Sequence, residues 1–279
     1  MKTGFLGFLF RNRLTTAGLI LLVLLLSFVA YALTLNQARA ANFIDPAARA
    51  LPPSSSHLFG TDAYGRDLFS VIAIAIETDL YIGLIAAAIS SSIGICVGAA
   101  SAILGKWRDQ ALMRFTEIFL SVPTLIFALA ITAAFGKSFV FLILALSIFS
   151  WPYFARLVRS RVLTEITKPY VEVMRVLGLK KARILFRHVL PNIGFFLGSL
   201  VAIQITLTIG LLAAMEYIGF STGSLTPELG AIITQAQPYV FSDAWMTVFP
   251  SIFLAVVILA FTLLSNGLRY LDPRTEAPS

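Results

Sequence analysis

Residues 167–178 read Thr-Lys-Pro-Tyr-Val-Glu-Val-Met-Arg-Val-Leu-Gly. Thr167 fits a helix N-cap, and Pro169 fits an early helical position, where its missing N–H costs nothing. Val171, Met174 and Leu177 recur at helical spacing, and Val173 and Val176 widen the apolar stripe. Gly178 fits the left-handed residue that ends a helix. The spacing therefore predicts a short amphipathic helix that stops at a glycine. A second helical stretch, about 180–190, is expected to stop before Pro191. Both lie in the strongly basic segment Arg159–Asn192, which is neither Gly/Ser-rich nor of low complexity. That composition argues against a floppy linker. A short amphipathic helix in such a segment lies on a membrane or in a partner's groove.

The sequence around this segment is apolar. Of 279 residues, 58% are hydrophobic and 13% charged, about half the charge of an average soluble domain. This excludes a disordered chain and argues against an ordinary water-soluble enzyme. A membrane-spanning helix needs about 20 mostly apolar residues. Six segments qualify: Leu14–Leu35, and about 80–104, 111–135, 139–158, 193–215 and 244–268. Lys2, Arg11 and Arg13 before the first segment, with Ala38-Arg39-Ala40 after it, have the look of a cleaved signal. The apolar run, however, is longer than the ~7–15 residues of a signal core, so a retained helix is expected. Pro123 and Pro152 should each kink the span that holds them. Gly94 and Gly98 form a small-xxx-small pattern that suits close helix packing.

Charge sets the orientation. With the N-terminus in the cytoplasm, all 21 Lys and Arg except Arg39, Arg49, Arg66 and Lys137 fall on the cytoplasmic side. This is the sided bias expected of a polytopic membrane protein, and it puts both termini inside. The net charge of +7 thus reports orientation rather than a nucleic-acid partner. Two long external loops, about 36–79 and 216–243, are acidic. The single Cys96 allows no intrachain disulfide and is expected as a small buried hydrophobe.

No phosphate-cradling G-x-x-x-x-G-K-[ST] loop is present: before Gly105-Lys106 the first glycine is replaced by Ala100, and Trp107 stands at the Ser/Thr position. His57 and His188 fall on opposite sides of the membrane. No metal-ligand spacing and no nucleophile–base pair is visible. Among residues inside spans, Glu117 can pair with Arg114 at i,i+3 or serve a gate. Gln204 and Thr208 share a helix face, and either line a polar pathway or form helix-packing hydrogen bonds.

Glu172-Val-Met, Gly178 six residues after the Glu, and Leu190-Pro191 together resemble the Glu-Ala-Ala…Gly…Ile-x-Leu-Pro loop of the membrane subunits of binding-protein-dependent ABC importers. Val173 and Met174 replace the two alanines. His57-Leu-Phe-Gly-Thr-Asp-Ala-Tyr-Gly-Arg-Asp67 resembles a signature of the dipeptide/oligopeptide/nickel permease family, in its C-type subunit. Phe186–Asn192 and Leu268–Arg274 are similar to that subunit too. One stretch departs: Gly219–Gly223 and Thr226-Pro-Glu-Leu-Gly230 stand where the family has Gly-Leu-Gly and Thr-Pro-x-Trp-Gly, with Leu229 in place of the Trp.

The resemblance implies an all-α polytopic membrane protein with six transmembrane helices, a type I ABC importer permease fold and a cytoplasmic coupling helix. Residues 1–78 would hold the N-terminal segment, first helix and external loop, and 79–279 the permease core. The implied role is one half of a translocation pathway for di- or oligopeptides; nickel, metal chelates or oligosaccharides stay open as substrates, and an ion-driven secondary transporter stays open as an alternative. No catalytic, cofactor or metal residue is expected on the chain itself. ATP and Mg would act on two partner ATPase subunits. A homologous permease, an extracytoplasmic binding protein and membrane lipid complete the implied partners, in the inner membrane of a prokaryote. Val171, Glu172, Met174, Arg175, Leu177 and Gly178 are expected to couple to the ATPase. Gln204, Thr208 and Glu117 are candidates for the pathway, and Glu216, Glu228 and Asp243 for contact with the binding protein.

Overall fold

The computed structural model describes residues 12–34, 44–221 and 226–271. The Ala38-Arg39-Ala40 stretch, Lys2, Arg11, Gly223 and Arg274 lie outside them. Helices, in chain order, are α1 (Arg13–Thr34), α2 (Leu68–Leu104), α3 (Lys106–Leu120), α4 (Thr124–Phe135), α5 (Phe139–Ile166), α6 (Pro169–Val176), α7 (Lys181–Ile184), α8 (Leu190–Asn192), α9 (Gly194–Tyr217), α10 (Leu229–Ala236) and α11 (Trp245–Tyr270). No strand occurs among the described residues; Thr61 and Asp67 form an isolated antiparallel bridge.

Among the described residues, α1, α2, α5, α9 and α11 are each long and apolar enough to cross a membrane. The expected third span is not one helix. It is the pair α3 and α4, bent by 73°. Pro123 explains the break. It has no N–H to continue the ladder from α3, and its extended backbone starts α4 in a new direction. Pro152, by contrast, sits inside an uninterrupted α5. The second span begins at Leu68 rather than near Leu80. Its 37 residues measure about 55 Å at 1.5 Å per residue, well beyond a hydrocarbon core of about 30 Å. This one helix therefore links both ends of the bundle.

The α2–α5 pair forms the spine. A Cβ on Gly98 would lie 2.3 Å from the Ala155 carbonyl oxygen, and one on Gly94 would lie 2.7 Å from the Phe154 Cβ. The small-xxx-small pattern is thus a close helix contact, as expected. Helix α1 packs along α11, where a Cβ on Gly18 would meet the Ala260 oxygen at 2.8 Å. A core of Leu68, Ile72, Ile76, Ile209, Leu229 and Val257 joins α2, α9, α10 and α11. Cys96 corrects the sequence reading: it is exposed. A helix apolar all round gives no sign of which face the chain itself covers. Ile118, Ile126 and Phe135 on the bent pair are exposed in the same way, which leaves an apolar face for lipid or another subunit.

The helices set residues 105–109 and 156–192 at one end of the bundle, here the basic end. Residues 44–67, 216–221 and 226–243 lie at the other, the acidic end.

Candidate functional site

At the basic end, the loop after α5 is built around Glu165. This carboxylate is buried. Its Oε1 accepts from the Tyr170 hydroxyl and from Asn192 Nδ2, both at 2.8 Å, and its Oε2 pairs with Lys168 Nζ at 3.0 Å. The start and the end of the loop are thereby tied to one point on α5. Lys168, not Thr167, is the N-cap residue of α6, and Thr167 instead closes α5, its hydroxyl donating to the Thr164 carbonyl at 2.9 Å.

Helix α6 ends as the sequence predicts. Gly178 has φ +77°, a conformation that costs other residues strain. Leu179 N–H donates to the Met174 carbonyl at 3.1 Å and Gly178 N–H to that of Arg175 at 3.0 Å. This is the paired bond set of a Schellman stop. The chain then runs through α7 into a π-helical turn, Leu185–Val189, where Leu190 N–H reaches the Leu185 carbonyl. The helical stretch expected to stop before Pro191 instead passes into α8, with Pro191 inside it. The π turn shifts the ladder ahead of a residue that cannot donate.

The α6 stripe divides in two. Val171 is buried and Met174 half-buried, packed with Ile184, Leu185 and Val189 of the same chain. They hold the helix to the bundle; Val171 is not offered to a partner, which corrects the expectation for it, while Met174 keeps part of its surface uncovered. Val173, Val176 and Leu177, at 58%, 83% and 72% exposure, form the outward apolar edge. Glu172 and Arg175 flank it and are exposed. Glu172 lies in the first turn and Arg175 in the last, each favourable to the helix dipole.

A second tie steadies this end. Asp109 of α3 accepts from Arg159 Nε of α5 at 2.6 Å and also from Arg159 Nη2. The Ser101 hydroxyl of α2 donates to the same carboxylate. Three helices thus meet on one half-buried acid. Arg114 and Glu117, 3.6 Å apart, form the expected i,i+3 pair, and both are exposed. Gln204 Nε2 donates to Thr208 Oγ1 at 3.3 Å, and both side chains are buried within the chain.

At the acidic end, the 57–67 signature is a folded knot. Thr61 Oγ1 donates to the Ala48 carbonyl at 2.5 Å and accepts from Leu51 N–H at 2.8 Å. Asp62 Oδ1 accepts from the N–H groups of Tyr64 and Arg66, and its Oδ2 from Arg66 Nε at 2.6 Å. Arg66 Nη2 reaches Gln235 of α10 at 3.3 Å. Asp67 caps α2 through Ser70 N–H and bonds His57 Nδ1 at 3.0 Å. The motif therefore starts α2 and fastens the loop to α10.

Beside it lies a feature that the sequence did not reveal. Asp79, Glu216 and Glu228 are each 1% exposed. Asp79 Oδ2 accepts from Leu229 N–H at 3.2 Å and Glu216 Oε2 from Gly230 N–H at 3.0 Å. Two distant carboxyls thus satisfy the first amides of α10, donors that a helix leaves unpaired. Gly230 permits it, since a Cβ there would lie 2.4 Å from the Ala213 carbonyl oxygen. Glu216 and Glu228 were expected to meet a docking protein; their burial corrects that, and of the three only Asp243 stays at the surface. Acids in a loop with no basic partner read as a solvated face until their contacts are known. Leu229, at the family's Trp position, is fully buried.

Residues 92–277 match the family described as binding-protein-dependent transport system inner membrane component, and the chain belongs to that family. It is the permease subunit of a binding-protein-dependent ABC importer of the peptide group. Its relatives include the dipeptide transport system permease protein DppC of Alkalihalophilus pseudofirmus, 30% identical over 96% of this chain and 88% of that one. The probable D,D-dipeptide permease DdpC of Escherichia coli K12 is 33% identical over 93% and 87%. The glutathione permease GsiD of Pectobacterium atrosepticum is 31% identical over 96% and 89%. The fold is similar to that of a chain of the MetNI methionine ABC transporter in an inward-facing conformation, with TM-score 0.59 over 72% of this chain and 96% of that one, at 18% identity.

Proposed function

We propose that the chain forms half of a translocation pathway for short peptides, delivered by an extracytoplasmic binding protein and driven by two partner ATPase subunits. The observation that carries this reading is α6: a short helix held rigidly to the bundle through Glu165, with Val173, Val176 and Leu177 turned outward. Closure of the ATPases would push on that edge, and the ties through Glu165 and Asp109 would pass the push to α2 and α5. Glu172, Leu177 and Gly178 belong to this coupling surface, while the Arg175 side chain turns back to the Ile166 carbonyl. The helix end at Gly178 keeps it short.

The sided distribution of Lys and Arg supports a cytoplasmic basic end and cytoplasmic termini. Peptides are favoured as cargo by the dipeptide and glutathione names of the relatives. The permease core is assigned to 79–279, which includes the 92–277 match. A homologous permease would cover the exposed faces of α3 and α4. Asp243 and the surface around Arg66 are the surfaces assigned to the binding protein. Gln204, Thr208 and Glu117 are weaker pathway candidates, since two are buried within the chain and the third is paired.

The test is reconstitution of the whole transporter with Val176→Asp or Leu177→Asp. Expected is loss of ATP-driven peptide uptake and of co-purifying ATPase in both. Undiminished uptake and co-purification would overturn the coupling role.

A further inference from the structure

At the basic end, behind α6, a cavity of about 260 Å³ lies between the end of α2, the start of α3 and the loop that follows α6. Its apolar lining includes Ile103 and Leu104 of α2 and Ile166 of α5. Its polar lining includes Lys106, Arg175 and Lys181, and no acidic side chain. The volume lies below the roughly 300–1,000 Å³ of pockets for drug-sized ligands, so it takes a small group rather than a whole substrate. Arg175 spends one N–H on the Ile166 carbonyl at 3.4 Å, which leaves most of its fork unspent. Lys106 stands at φ +51°, in the left-handed region that a non-glycine residue occupies only at a cost. The chain accepts that cost at a residue lining this cavity.

The cavity sits where a membrane boundary is expected. Leu104, at the end of a spanning helix, and Trp107, one residue beyond Lys106, are both exposed. Tryptophan at such a place marks the headgroup level. Three cations beside an exposed apolar helix end match an ion with one charged end and an apolar body. A free small anion would use the cations and leave the apolar wall unused.

We propose that this cavity binds the headgroup phosphate of an anionic phospholipid, held by Lys106, Arg175 and Lys181, with the acyl chains laid along the Leu104 face of α2. The lipid would then wedge α6 against α2, at the point where motion enters the bundle. This site needs only the membrane location of the chain, and does not depend on the coupling role of α6.

The test uses the assembled transporter, extracted in detergent and examined by native mass spectrometry after exchange into phosphatidylglycerol or phosphatidylcholine. Expected is retained phosphatidylglycerol and no retained phosphatidylcholine. The double variant K106Q/K181Q should cut retention roughly thirtyfold, as two lost cations at the phosphate predict. The control K180Q/R183Q removes the same charge outside the cavity and should leave retention unchanged. Equal loss in both doubles would overturn the proposal by showing a diffuse charge effect. So would retention unaffected by K106Q/K181Q, or displacement of the lipid by millimolar inorganic phosphate. Co-purification of the ATPase, measured in the same samples, separates a failure of this site from a failure of the coupling reading.

Discussion

Asn192 lies 27 residues beyond Glu165, yet its Nδ2 donates to the Glu165 Oε1 at 2.8 Å. The contact closes the basic loop into a ring. Tyr170 and Lys168 also bind this carboxylate. Glu165→Ala should therefore loosen both ends of the loop at once. Hydrogen bonds to a charged group are worth about 1.5–3 kcal/mol, so a loss of thermal stability of that order is expected. Asn192→Asp should cost more than Asn192→Ala, because it sets carboxylate against buried carboxylate. Thermal unfolding of the purified variants checks the order, and equal stability of the two Asn192 variants would refute it.

Gly178 separates conformation from space. A Cβ there meets nothing within 4 Å, so Gly178→Ala should cost only the left-handed backbone, about 1–2 kcal/mol. Gly178→Asn should cost less. Gly178→Pro removes the N–H that reaches Arg175 and forces φ to about −65°, so it should abolish the helix stop. Peptide-stimulated ATPase activity of the complex should rank wild type, Asn, Ala, Pro. Full activity of the proline variant would show that the stop is not needed.

Asp109 and Arg159 join α3 to α5 through a two-pronged pair. Arg159→Lys keeps the charge and loses the fork. A double-mutant cycle with Asp109→Asn and Arg159→Lys should give a coupling energy of about 1 kcal/mol, small because Arg159 is partly exposed. A coupling indistinguishable from zero would mean that the pair holds nothing together.

Asp79 offers a contrast of isosteres. One oxygen accepts from Leu229 N–H, and the carboxyl lies beside that of Glu216. Asp79→Asn keeps the acceptor for Leu229 N–H and offers an amide donor to the neighbouring Glu216 carboxyl. It should fold with at least wild-type thermal stability. Asp79→Ala leaves the Leu229 amide unpaired in a buried place, at a cost of about 1–3 kcal/mol. Unfolding temperatures in which Asn falls below Ala would contradict this reading.

Apolar run length, sided charge and turn residues are written along the chain. They therefore predicted the five long spanning helices, a short helix ending at Gly178, a bend at Pro123 and the close approach at Gly94 and Gly98. Each of these depends on residues near one another in sequence. The turn that Asp62 closes and the helix cap that Asp67 makes have the same local origin.

What the tertiary structure decided is which faces the chain covers with itself. Val171 and Met174 point inward while Val173, Val176 and Leu177 point outward, although all five lie in one apolar stripe. Cys96 is uncovered in a run that looks uniformly buried. Glu165, Asp79 and Glu216 gained their roles from partners 27, 150 and 14 residues away. In a membrane the outer surface is as apolar as the core, so hydrophobicity cannot mark the inside. Only the packing of helix against helix settles it, and with it the site of each buried charge.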